Sequence, residues 1–113
     1  EHLQEDYADS LIGMICKLSD NVLFSGAIIG QGGVNHYNEQ MQSYWANKFE
    51  SHGFYPYKID LRKEMYNNPN IAVWYKNNIV LYTRNKYELD YNLDFIHPEL
   101  YLNLVKHYTL CQK

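Results

Sequence analysis

Residues 21–40 read NVLFSGAIIGQGGVNHYNEQ, and the fold turns on how this stretch is divided. Its first half is a nearly unbroken apolar run, rich in β-branched residues, of the kind that forms a strand covered on both faces inside a sheet. The apolar run then gives way to Gly30, Gln31, Gly32 and Gly33, and Asn38 and Glu39 follow. Asn38 is suited to cap a helix with its side-chain oxygen, and Glu39 suits the positive end of that helix. The stretch therefore predicts strand, glycine-rich loop, helix. The loop spacing fits neither G-x-G-x-x-G nor G-x-x-x-x-G-K-[ST], so it is not a phosphate-binding fingerprint.

On the N-terminal side, Tyr7, Leu11, Ile12, Met14, Ile15 and Leu18 recur at helical spacing, which predicts a helix over 6–18. On the C-terminal side, Met41, Trp45 and Phe49 follow at fourfold spacing, and Gly53 is placed to end that helix in a left-handed conformation. FYPYKIDL, residues 54–61, alternates like a strand. Pro56 cannot donate a ladder hydrogen bond, so that strand belongs at a sheet edge or a bulge. Asn67, Asn68, Pro69 and Asn70 supply turn chemistry, with pocket lining as the alternative. Residues 77–85 return to a strand pattern after an ambiguous aromatic piece at 72–75. Pro98 opens a last helix, with Tyr101, Leu104, Val105 and Tyr108 on its face. The predicted order is helix, strand, helix, strand, strand, helix. Early alternation argues α/β, and a parallel sheet ending in a reversed strand is the expected assembly.

The chain has 113 residues, 46% of them apolar, which fits one folded unit with a core. Its formal net charge of −3 provides no broad basic surface and does not favour nucleic acid as a partner. No apolar run approaches the roughly 18–20 residues a membrane helix needs, and the acidic start is unlike a signal peptide, so a cytoplasmic location is expected. Cys16 and Cys111 lack C-x-x-C spacing, sit in apolar-periodic stretches and read as buried thiols.

Five segments taken together, EHLQEDYADSL (1–11), LSDNVLFSGAIIGQGG (18–33), NEQMQSYWANKFESHGF (38–54), NNPNIAVWYKNNIVLYTRN (67–85) and IHPELYL (96–102), resemble the C-terminal half of class I S-adenosylmethionine-dependent methyltransferases. The resemblance implies an α/β fold in which the chain, residues 1–113, is one partial methyltransferase domain, the substrate-side half. Its strands would be the fifth, seventh and sixth of a Rossmann-like sheet, in the order 5-7-6, with the last pair antiparallel and helices flanking. The family's Gly-rich first turn and its ribose-binding acidic residue have no counterpart in these residues. Most of the S-adenosylmethionine site is therefore expected upstream of Glu1, and this chain alone is expected to hold the cofactor poorly. The strand at residues 22–29 would then lack a neighbour, which predicts pairing with an upstream half or a second copy.

The same resemblance implies the site. Glu1 and His2 match the Glu-His at the exit of the family's fourth strand, beside the methyl-transfer centre. His2 would be the general base for the acceptor, since imidazole accepts a hydroxyl proton near neutral pH. In a metal-dependent subset the corresponding residues hold a divalent ion, so Glu1, His2 and His36 would bind Mg²⁺ or Mn²⁺. The loop at 30–38 would lie beyond a strand's carboxyl end, where Gln31, Asn35 and His36 offer hydrogen bonds to a substrate. Gly32, Gly33 and Asn38 read more simply as turn and cap. His52, His97 and His107 are assigned no chemistry, and the aromatics are read mainly as packing. The expected function is methyl transfer to an oxygen or nitrogen nucleophile of a small molecule. The alternative is a non-catalytic remnant that pairs through its uncovered strand.

Overall fold

In a computed structural model that describes residues 5–28, 38–57, 60–85 and 93–111, the chain forms a small mixed α/β unit. The elements run α1 (Glu5–Cys16), β1 (Asn21–Phe24), α2 (Gln42–Ser51), β2 (Tyr55–Pro56), α3 (Leu61–Met65), α4 (Val73–Asn78), β3 (Val80–Thr83) and α5 (Pro98–Cys111). The three strands are ordered β1-β3-β2, and β3 is antiparallel to both neighbours. The last two strands are thus antiparallel neighbours, and Pro56 stands in the edge strand β2. A parallel sheet ending in one reversed strand is not what the described residues form. Their neighbouring strands are all antiparallel, because β3 lies between two strands and runs against each.

Alternation decides which face of the sheet is covered. Val22 faces Tyr82 and Phe24 faces Val80 in the β1–β3 register. All four belong to one core with Ala8, Ile12 and Cys16 of α1 and Trp45, Ala46 and Phe49 of α2. The Phe49 and Tyr82 rings stack at 3.9 Å, and Phe24 meets Phe49 edge-on. Leu23, one residue out of phase, is 59% exposed. β1 is therefore a short edge strand among the described residues, with an open second face, rather than a fully covered interior strand over 22–29. A second apolar cluster joins Ile28, Val73 and Leu100, with Met41 and Leu104 packed against it.

Helix α1 keeps the expected period, but its buried line is Ala8, Ile12 and Cys16, while Tyr7, Met14 and Leu18 are exposed. Small residues allow a close approach: a Cβ added to Gly13 would lie 2.9 Å from the His52 ring at the end of α2. In α5 the inward positions are Leu100 and Leu104, whereas Tyr101 and Val105 are exposed. The side chains of Tyr108 and Cys111 lie outside the described residues.

Helix α2 ends as the sequence predicts. Gly53 has φ +78°, its N–H donates to Glu50 O, and the Phe54 N–H donates to Phe49 O. Those two bonds, with Phe49 and Phe54 both buried, make a Schellman ending. The start of α2 differs from expectation. Its first residue is Gln42, and Asn38 does not cap it; Asn38 is buried and donates to Tyr44 Oη at 3.3 Å. The cap comes from Asp94, whose carboxylate accepts from Ser43 N–H at 2.7 Å and Ser43 Oγ–H at 3.0 Å. Residues 72–75, ambiguous in sequence, belong mainly to α4. No helix among the described residues is long and apolar enough to cross a membrane.

Candidate functional site

The loop at the carboxyl end of β1 is closed at its base. Gln40 N–H donates to Ala27 O at 3.1 Å, so the two ends of the glycine-rich segment are held side by side. Gln40 Nε2 also donates to Asn38 Oδ1 at 2.9 Å. Beneath this base, the Trp45 indole N–H is buried without a partner among the described residues. A Cβ at Gly26 would come 2.8 Å from that nitrogen, so only glycine lets the chain pass the indole here. Of the residues expected to form the site, Glu1, His2, Gln31, Asn35 and His36 all lie outside the described residues. Gly32 and Gly33 do as well.

A buried polar network joins α2, α4 and the start of α5. Gln42 Nε2 donates to Asn77 O at 2.9 Å and to Phe95 O at 2.8 Å, while Gln42 Oε1 accepts from Phe95 N–H at 3.2 Å. Asn77 Oδ1 accepts from His97 N–H, and Asn77 Nδ2 donates to Asn78 Oδ1. Gln42 and Asn77 thereby answer backbone groups that burial would otherwise leave unpaired. Nearby, Asp60 caps α3 and holds Arg62 through both carboxylate oxygens, at 2.9 and 3.0 Å. The same guanidinium donates to Leu93 O and lies over the Phe95 ring. The two segments Asp60–Arg62 and Leu93–His97 are thereby locked together.

Next to this network is a cleft of about 350 Å³. It is lined by Tyr66, Asn67, Pro69 and Ile71 of the α3–α4 connection, Lys76 of α4, and His97 and Glu99 at the start of α5. The NNPN stretch is both turn and lining: Asn68 Oδ1 accepts from Asn70 N–H at 2.9 Å, while Asn67 and Pro69 border the cleft. His97 caps α5 with its ring. Its Nδ1 accepts from Glu99 N–H at 3.1 Å, which leaves the proton on Nε2 for donation to Tyr66 O at 3.1 Å. Both ring nitrogens are occupied, so His97 serves as a brace.

Lys76, Gln42, Asn77 and Arg62 were not singled out by sequence. Their one signal was a polar residue at a position that helical spacing sends inward. No group of three His, Cys, Asp or Glu that could hold a metal occurs among the described residues. The buried Cys16 thiol is pushed above its ordinary value of 9.0 by desolvation, partly opposed by the positive charge of Arg84. A thiol held protonated in this way is a poor nucleophile.

No family model, curated protein or solved structure matches the chain.

Proposed function

We propose that this chain is the acceptor-side part of a class I S-adenosylmethionine-dependent methyltransferase acting on an oxygen or nitrogen nucleophile of a small molecule. The observation that supports it is the bond from Gln40 N–H to Ala27 O, which holds the ends of the GQGG-containing loop at the carboxyl end of a strand. Ligands of open α/β sheets bind beyond such strand ends. The motifs that carry the resemblance are also joined in space: Gln42 of one reaches Asn77 of another, which in turn meets His97 of a third.

In this reading His2 accepts the proton of the acceptor hydroxyl or amine, and Gln31, Asn35 and His36 orient the acceptor. Glu1, His2 and His36 are the residues that would hold Mg²⁺ or Mn²⁺, whose chemistry would be to make that hydroxyl more acidic. The adenosyl cofactor does not fit the residues present, since no Gly-rich turn or ribose-binding carboxylate counterpart occurs among them.

The test uses the native polypeptide that carries this chain. His2→Ala should lower turnover by about a hundredfold or more while leaving S-adenosylmethionine affinity nearly unchanged. An unchanged rate would remove His2 as the base. With metal assistance, Glu1→Ala and His36→Ala raise the metal concentration needed for half-maximal rate, and an unchanged requirement would remove the metal.

A second reading, a pairing module, is favoured by the exposure of Leu23 on edge strand β1. Its test is the oligomeric state.

A further inference from the structure

We propose that the cleft beside the start of α5 is an oxyanion-binding site whose anchor is Lys76, a function that does not depend on the methyltransferase reading. Lys76 is only 4% exposed. Among the described residues its ammonium forms no hydrogen bond or ion pair, although buried charges are ordinarily paired. Its side chain lines the cleft, so a ligand entering there meets a cation carried by a side chain almost wholly withdrawn from bulk solvent. A charge-assisted bond formed at such a place is stronger than one at an open surface.

The other lining residues set the selectivity. His97 offers no free ring nitrogen to a ligand, because its Nδ1 is occupied by Glu99 N–H and its Nε2 by Tyr66 O. Asn67 offers an amide that makes no side-chain hydrogen bond among the described residues. Glu99 is exposed, lines the same cleft and forms no ion pair with Lys76. Its carboxylate opposes an incoming anion, which favours a small oxyanion of low charge over a polyanion. At about 350 Å³ the cleft admits a carboxylate or phosphate group together with part of the molecule that carries it.

The experiment is a titration of the intact polypeptide with sodium phosphate and, separately, with sodium acetate, at constant ionic strength maintained with chloride. Backbone amide shifts are followed by NMR. The proposal predicts saturable shifts at Asn67, Lys76 and Glu99 with at least one of the two anions, and the anion that saturates identifies the oxyanion class. Lys76→Met should weaken that binding about tenfold or more, whereas Lys76→Arg should retain it. Unchanged amide shifts at Phe49 and Tyr82 establish that the Met variant is folded. Should that variant not fold, Glu99→Gln carries the test, because removal of the opposing carboxylate must tighten binding. Shifts that never saturate with either anion, equal binding by Lys76→Met, or no gain in Glu99→Gln would overturn the proposal.

Discussion

Three single residues show how local backbone and burial set the energetics. Gly53 has φ +78°, and a Cβ there would meet nothing within 4 Å. The cost of Gly53→Ala is therefore conformational alone, and a loss of about 1 kcal/mol is expected in chemical denaturation. Gly26 presents the opposite case. Its backbone is unexceptional, but an added methyl would press on the buried Trp45 ring, so Gly26→Ala should cost about 1–3 kcal/mol and perturb the Trp45 fluorescence. Cys16 links stability to pH. Burial raises its folded-state pKa above the unfolded value, so its contribution is complete below about pH 9 and is lost as pH rises through the folded pKa. Wild type should therefore lose stability at alkaline pH more steeply than Cys16→Ala, and equal slopes would contradict the assignment. Of these residues, Gly53 was legible because a glycine after a periodic helix has one common meaning. Gly26 was not, since its reason is a ring nineteen positions away in the chain, at Trp45.

At the level of elements, periodicity identified α1, α2 and α5, and one proline located β2 at the sheet edge. Cap and face were less visible. Local spacing points to Asn38 as the α2 cap because capping is ordinarily local, but the carboxylate comes from Asp94, on the far side of two helices and two strands. Asp94→Ala should thus destabilise the chain by about 1–2 kcal/mol, measured by urea unfolding, although residue 94 lies outside any helix. Asn38→Ala tests the contrast: it should not act as cap removal, and its effect should depend on Tyr44. Helix α4 was ambiguous because VWYKNN has neither a strand's alternation nor a clean apolar stripe. Its inward positions include Lys76, Asn77 and Asn78, which are buried as polar residues. Sequence patterns equate inward with apolar, and that assumption fails where a backbone network needs donors and acceptors. Gln42→Ala would strand Asn77 O, Phe95 O and Phe95 N–H together, with an expected loss of about 2–3 kcal/mol.

At the scale of the whole molecule, composition and alternation made a mixed α/β unit legible. The antiparallel pairing of the last two strands was legible as well, but the direction of β1 beside β3 was not, because a parallel neighbour and an antiparallel one accept the same apolar strand. The sheet's open edge at β1 and the exposed Leu23 carry a prediction of their own. Leu23→Lys should reduce self-association in sedimentation, and a wild-type chain that is already monomeric would contradict pairing through that edge. The candidate site rests on motif resemblance alone, and its residues lie outside the described ones. Its residues fall at the N-terminus and in the glycine-rich loop, where spacing alone could not show which side chains meet. What the described residues add is the frame: a loop closed at its base by Gln40 and Ala27, and a polar network that ties the motif-bearing segments together.

The measurement closest to the central claim is methyl transfer itself. The native polypeptide carrying this chain would be incubated with methyl-labelled S-adenosylmethionine and the small-molecule fraction of its own cells. The account predicts label in a small molecule, in a bond to oxygen or nitrogen, and its loss in His2→Ala. Absence of label, together with no detectable S-adenosylmethionine binding by calorimetry, would contradict it.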